Sequence, residues 1–155
     1  MLVYRISKTR YAHSLNAPGF YGRWNSDGMK VLYTGSSVAL SCLEVAVHRS
    51  GASLTSGDFA LAVIKIPDES SIEEIYIEDL VDVNPEWYKP ANCLMTQHLG
   101  DEWLNSMTTP VLKVPSAVIQ AEFNYLLNVE HPDFSKISIQ SVNPFTFDPR
   151  LKIDL

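Results

Sequence analysis

The chain has only two cysteines, Cys42 and Cys93. Two thiols at that spacing make neither a disulfide framework nor a zinc site. Cys42 lies among Leu40, Leu43 and Val45 and reads as a small core residue. The four histidines are scattered, with no HxxxH-type pair, so no metal site is expected. No apolar run approaches the ~18–20 residues of a membrane span. The start, Met1-Leu2-Val3-Tyr4-Arg5, lacks the charged-then-apolar layout of a signal peptide, so the expected compartment is the cytoplasm. Basic residues are also short: 12 Lys and Arg stand against 18 Asp and Glu, a net charge of −6. That balance disfavours direct nucleic-acid binding, which needs clustered cations to displace counterions. It suits plain solubility or a partner with a basic surface. There is no phosphate loop, no GxSxG elbow and no dinucleotide GxGxxG.

What is present is enough for one domain spanning residues 1–155. The length suits a single compact unit, and the apolar share of 46% can fill a core. Leu2 to Ile6 reads as a first strand. Tyr11 to Gly28 reads as a long loop broken by Pro18, Gly19, Gly22, Asn25 and Gly28. Loops of that length are usually functional or disordered, and Tyr11, Phe20, Tyr21 and Trp24 favour order. Val31 to Thr34 reads as a second strand. A serine of Gly35-Ser36-Ser37 then caps a helix that runs to about His48, with Gly51 as its stop. Ala39, Leu40, Leu43, Ala46 and Val47 make its apolar stripe, and Ser37, Ser41, Glu44 and His48 the other.

Phe59 to Ile66 is nearly all apolar and is expected to be a central strand buried on both faces. Ile72 to Ile77 alternates as a weaker strand. Pro85 and Pro90 bracket a loop holding Trp87 and Tyr88. Asn92 can cap a helix to about Ser106, although Gly100 counts against it. Val111 to Val114 reads as a strand, Ala117 to Ile119 as a possible extension, and Glu122 to Asn128 as either helix turn or strand. Phe134 to Ile139 and Phe145 to Asp148 read as two final strands. Strands dominate over two or three helices, so the class is mixed α+β.

Local pattern leaves each candidate for chemistry with two readings. Arg23 is either a surface arginine lying on Trp24 or a planar fork for a phosphate or carboxylate. Tyr33 is either a half-buried strand residue or a flat face for a heteroaromatic ring. Glu44 is either on a solvated helix face or a carboxylate that holds sugar hydroxyls and stabilises positive charge at an anomeric carbon. Ser116 after Pro115, and Asn124, are either turn and cap residues or polar contacts for a ligand.

Taken in order, Gly22-Arg23-Trp24-Asn25 with Gly28, Tyr33, Leu43-Glu44 and Val114-Pro115-Ser116 resemble the RES-domain family, named for its arginine, glutamate and serine. Arg23, Glu44 and Ser116 match those positions, and Tyr33 matches the family's tyrosine between the first two. Glu122 to Asn128, His131-Pro132-Asp133-Phe134 and Phe145 to Leu151 resemble its later blocks. Gln120 stands where the family has proline, and Val129-Glu130 replaces a Pro-containing pair. The resemblance implies a fold like that of ADP-ribosyltransferases and the toxin half of a type II toxin–antitoxin pair. It implies NAD as substrate and a helix-turn-helix antitoxin that blocks the site. Under it, Glu44 would hold the ribose and stabilise its cation, and Arg23 would grip the pyrophosphate or a ribose. Tyr33 would stack on nicotinamide or place the ribose, and Ser116 with Asn124 would bind sugar or amide. Water, phosphate or a protein would capture the ADP-ribosyl group, so the enzyme would be an NAD glycohydrolase, a phosphorylase or a protein ADP-ribosyltransferase. A non-catalytic nucleotide- or partner-binding module is the rival of another class, and requires Arg23, Tyr33 and Glu44 to be structural.

Overall fold

Residues 1–152 are described by a computed structural model, in which seven strands join one sheet. In chain order the elements are β1 (Leu2–Lys8), α1 (Thr9–Ala12), β2 (Val31–Gly35), α2 (Val38–Val47), α3 (Gly51–Thr55), β3 (Phe59–Lys65), β4 (Ile72–Glu74), α4 (Ile77–Val83), α5 (Cys93–Ser106), β5 (Val111–Pro115), β6 (Phe123–Asn128) and β7 (Ser138–Phe145). The strand order across the sheet is β4-β5-β6-β2-β1-β3-β7. Among the described residues only β4 and β5 run parallel, and α4 with α5 supplies the crossover that parallel neighbours require. The mixed α+β class expected from the sequence is the one observed.

Side chains alternate between the two faces of a strand, and the core follows that rule. On β2, Val31 and Tyr33 face one side and Leu32 the other. On β5 and β6, Leu112, Val114 and Leu126 share the first side, while Val111 and Leu127 share the second. The first side is covered by Trp24, Leu80, Trp87, Trp103 and Leu104 from the long loop, α4 and its following turn, and α5. Tyr33, Ser116 and Asn124 have the parity of this first side. The sheet register brings them to one end of it, because Val114 pairs with Asn124 and Asn124 with Gly35.

Several elements differ from the sequence reading. Phe59–Lys65 lies one strand in from the edge, and its outer neighbour β7 leaves Leu61, Val63 and Lys65 only half-buried. The two final strands are one, Ser138–Phe145, preceded by a 3-10 turn at Pro132–Lys136. Pro144 does not divide them: it sits inside β7, which is an edge strand and tolerates a missing donor. Ile72 to Ile77 is a three-residue strand that gives way to α4 at Ile77. Glu122 to Asn128 resolves as strand β6, and Gly51 opens α3 rather than merely stopping α2.

The polar stripe of α2 turns inward as far as Glu44, and His48 at its end is exposed. Ser41 is buried, and its hydroxyl donates to carbonyls of Tyr4 and Ser37, both at 2.9 Å, so its burial leaves no unmet donor. Gly35 makes this possible: a Cβ there would lie 2.5 Å from Ser41 Oγ. The helix therefore closes directly on the end of β2, with the Ser37–Glu44 stripe turned inward and Val47 left half exposed.

Candidate active site

Glu44 is half-buried on the inward stripe of α2. Its Oε1 accepts from Ser116 Oγ at 2.8 Å and from Asn124 Nδ2 at 2.6 Å. Among the described residues its Oε2 takes no hydrogen bond. Ser116 is fully buried and fully used. It accepts from the backbone N–H groups of Val118 and Ile119, each at 3.0 Å, and donates its one proton to Glu44. The same serine thus closes the turn after β5 and fixes the carboxylate. The contacts expected from Ser116 and Asn124 toward a ligand are directed in this structure to Glu44, which they orient.

Arg23 is not a surface arginine. Its Nη1 donates to the Trp87 carbonyl at 3.0 Å and its Nη2 to the Tyr88 carbonyl at 2.8 Å, which fastens the long loop to the turn before α5. A guanidinium carries five N–H donors, so three remain for a ligand. Burial draws the Arg23 pKa below the usual guanidinium value, and the nearby Cys93, Glu44 and Tyr33 act in the opposite direction.

Tyr33 is held at both ends. Its ring packs on the Trp24 cluster. Its hydroxyl donates to Asn25 Oδ1 at 2.6 Å and accepts from the Trp24 N–H at 3.0 Å. Burial pushes its phenol pKa well above the ordinary value, against the opposing pull of the Trp24 hydrogen bond. It stays protonated through the neutral range, which leaves it a face and an anchor rather than an acid–base group. Gly22 lets the loop come this close, since a Cβ there would lie 2.6 Å from the Tyr33 hydroxyl. Tyr33→Phe is expected to cost roughly 1–3 kcal/mol in a denaturant melt, because Asn25 Oδ1 and the Trp24 N–H lose a buried partner. A melt identical to wild type would mean that the hydroxyl anchors nothing.

Residues outside the sequence candidates set the rest of the geometry. Asn25 is fully buried, and its Nδ2 donates to carbonyls of Phe20, Ser26 and Met29. From α5, Thr96 Oγ1 donates to the Arg23 carbonyl at 2.6 Å and Gln97 Nε2 to the Gly22 carbonyl at 2.7 Å. Asp101 accepts from the Ser26 N–H and hydroxyl. Gly100 lies against the loop itself, where a Cβ would come within 1.7 Å of the Trp24 carbonyl oxygen. Positions 96, 97, 100 and 101 fall on one helix face, and the glycine grouped there with polar residues was the signal available in the sequence. Among the described residues no group of three or more His, Cys, Asp or Glu stands together as a metal ion would need. No helix among them is long and apolar enough to cross a membrane.

Residues 2–150 match the model of the RES domain. This chain belongs to the RES-domain family. It is 37% identical over 158 residues to the protein named Toxin Res from Yersinia enterocolitica, covering 98% of this chain and all of that one. It is 34% identical over 131 residues to the Prs ADP-ribosylating toxin of a Sphingobium species, covering 84% of this chain and 80% of that one. Its fold is similar to a chain of the M. tuberculosis MbcT–MbcA toxin–antitoxin complex, with a TM-score of 0.76 at 15% identity over 97% of this chain and 85% of that chain. In this RES domain Ser116 is hydrogen-bonded to Glu44 at one end of the sheet, whereas the Arg23 side chain is bonded to the Trp87 and Tyr88 carbonyls.

Proposed function

We propose that this RES-domain protein is the toxin of a toxin–antitoxin pair and that it breaks the nicotinamide–ribose bond of NAD. The observation that carries the reading is the Glu44 carboxylate, with one oxygen fixed by Ser116 and Asn124 and the other without a hydrogen bond among the described residues. A carboxylate so fixed is preorganised for a cation that forms opposite it. When the glycosidic bond breaks, its electron pair leaves with nicotinamide and positive charge builds on the ribose. Glu44 Oε2 accepts from a ribose hydroxyl and stabilises that charge. The free N–H groups of Arg23 take the pyrophosphate, and the exposed part of Tyr33 lies beside the ring. The oxygen of water, releasing a proton to solvent, or an anionic oxygen of phosphate then bonds to the anomeric carbon.

The second reading, transfer of ADP-ribose to a protein, is favoured by the Sphingobium relative, whose name describes that activity. Adenine-labelled NAD separates the two. Label recovered in small molecules, with free nicotinamide, is expected for NAD degradation, and label retained on protein identifies transfer. The partner proposed is a helix-turn-helix antitoxin that covers the site, in keeping with the complex in which the structural neighbour occurs. Expressed alone in a bacterial cytoplasm, the chain should slow growth and lower NAD, and its antitoxin should restore both.

Arg23→Lys probes the clamp. An ammonium cannot reproduce the planar fork that holds Trp87 and Tyr88. Nicotinamide release is expected to fall at least tenfold, with a lower melting temperature. A folded Lys variant at near wild-type rate would remove Arg23 from the site.

A further inference from the structure

Phe20 and Tyr21 are 75% and 74% exposed, the most exposed aromatic side chains in the described residues. They precede Gly22 and Arg23 directly. Two consecutive exposed aromatics on a mobile loop would be unremarkable, but this loop is not built to move. The Phe20 carbonyl accepts from Asn25 at 2.8 Å, Gly28 N–H donates to the Gly19 carbonyl at 2.7 Å, and Gly22 and Asn25 form an isolated bridge. Thr96 and Gln97 of α5 hold the Arg23 and Gly22 carbonyls. The backbone is fixed from Gly19 to Gly28 while the two rings are left in solvent. Rigid, exposed aromatics of this kind are ready-made stacking faces with little ordering cost.

Resting on the reading that NAD is the substrate, we propose that Phe20 and Tyr21 form the wall on which the second heteroaromatic ring of the dinucleotide, the adenine, stacks. Tyr33 can serve only one ring, because its hydroxyl is tied to Asn25 and Trp24 and its position is fixed. Glu44 and Tyr33 belong to the reacting ribose and its base. Arg23 follows directly on Gly22, which lies against the Tyr33 hydroxyl, and meets the phosphates between the two nucleoside halves. The adenosine half then continues past Arg23. Across a side-chain-free Gly22, the next groups along that backbone are the rings of Tyr21 and Phe20. Their stacking is tolerant of base identity, so the wall sets affinity for a dinucleotide over a mononucleotide rather than the chemistry of cleavage.

The test uses the full chain. Phe20→Ala, Tyr21→Ala and the double variant, with Phe20→Tyr and Tyr21→Phe as ring-keeping controls, are assayed for nicotinamide release from NAD. Their affinity for ADP-ribose, which has the adenine and needs no turnover, is measured by calorimetry, with melts alongside. The expected result is a KM for NAD and a Kd for ADP-ribose raised about tenfold by loss of either ring. Turnover should stay within about twofold, melts should be unchanged, and the ring-keeping controls should behave as wild type. Unchanged KM and Kd in the double variant overturn the proposal. If that variant also escapes inhibition by the antitoxin, the pair is a protein-docking surface instead. A wild-type protein that neither releases nicotinamide nor binds ADP-ribose refutes the NAD reading itself, and the adenine wall with it. A failure confined to the variants leaves that reading standing.

Discussion

Glu44→Gln should bind NAD nearly as wild type does and turn it over ~10²-fold or more slowly, the scale on which one preorganised electrostatic group acts in a transition state. Glutamine keeps the length of the side chain and one carbonyl oxygen. That oxygen can still accept from Ser116 and Asn124, so the variant should fold with a melt close to wild type. What it loses is the charge, and it places an N–H₂ where Oε2 would accept a ribose hydroxyl. An interaction realised only as the cation forms appears in kcat and not in KM. Purified wild-type and variant protein, compared for nicotinamide release over a range of NAD, give both constants. A folded glutamine variant with most of the wild-type kcat would remove Glu44 from the chemistry.

Gly100→Ala should be among the most damaging single-methyl changes in the molecule. Helix propensity alone favours alanine by ~1 kcal/mol at an interior helix position. Sterics oppose it here, since the new Cβ would meet the Trp24 carbonyl oxygen at 1.7 Å. Neither side can yield cheaply, because the obstacle is backbone and that backbone is pinned by Thr96, Gln97, Asp101 and Asn25. Overpacking of this severity costs about 3 kcal/mol, which for a chain of this size lowers the melting temperature by ~6–12 °C. The loop displaced carries Arg23, so nicotinamide release should fall even where the variant stays folded. An alanine variant that melts at or above the wild-type temperature would mean that α5 does not rest on this loop.

Gly100 also shows where sequence reading ran out. Read locally it weakens a helix, and only the position of a loop some 75 residues earlier makes it a requirement of packing. Arg23 is a similar case. Its type suggested a fork, but its carbonyl partners at Trp87 and Tyr88 could not be found from spacing. The stripe on α2 was legible as a stripe, because helical periodicity reports two faces. Which face turned inward depended on Gly35 and on acceptors for Ser41, neither of which periodicity encodes. Between Leu2 and Ser106, α1, α3 and α4 went unread and Asn92 makes no side-chain cap bond, but the strands and the helices α2 and α5 followed pattern, with Ser37 accepting from the Leu40 N–H as an N-cap should. The C-terminal strands did not, since proline marks a break only where its missing donor would be needed, and β7 lies at an edge. The grouping of Glu44, Ser116 and Asn124 came from the order of short family motifs. Their convergence has a plain cause: strand parity and register carry Ser116 and Asn124 to the end of the sheet on which α2 closes.

Free nicotinamide, measured by chromatography after the purified wild-type chain is incubated with NAD, tests NAD cleavage most directly. Nicotinamide should accumulate with time and enzyme, and should nearly vanish with Glu44→Gln. A wild-type protein that is folded, binds ADP-ribose and yet leaves NAD intact would contradict the cleavage reaction and make this end of the sheet a binding site alone.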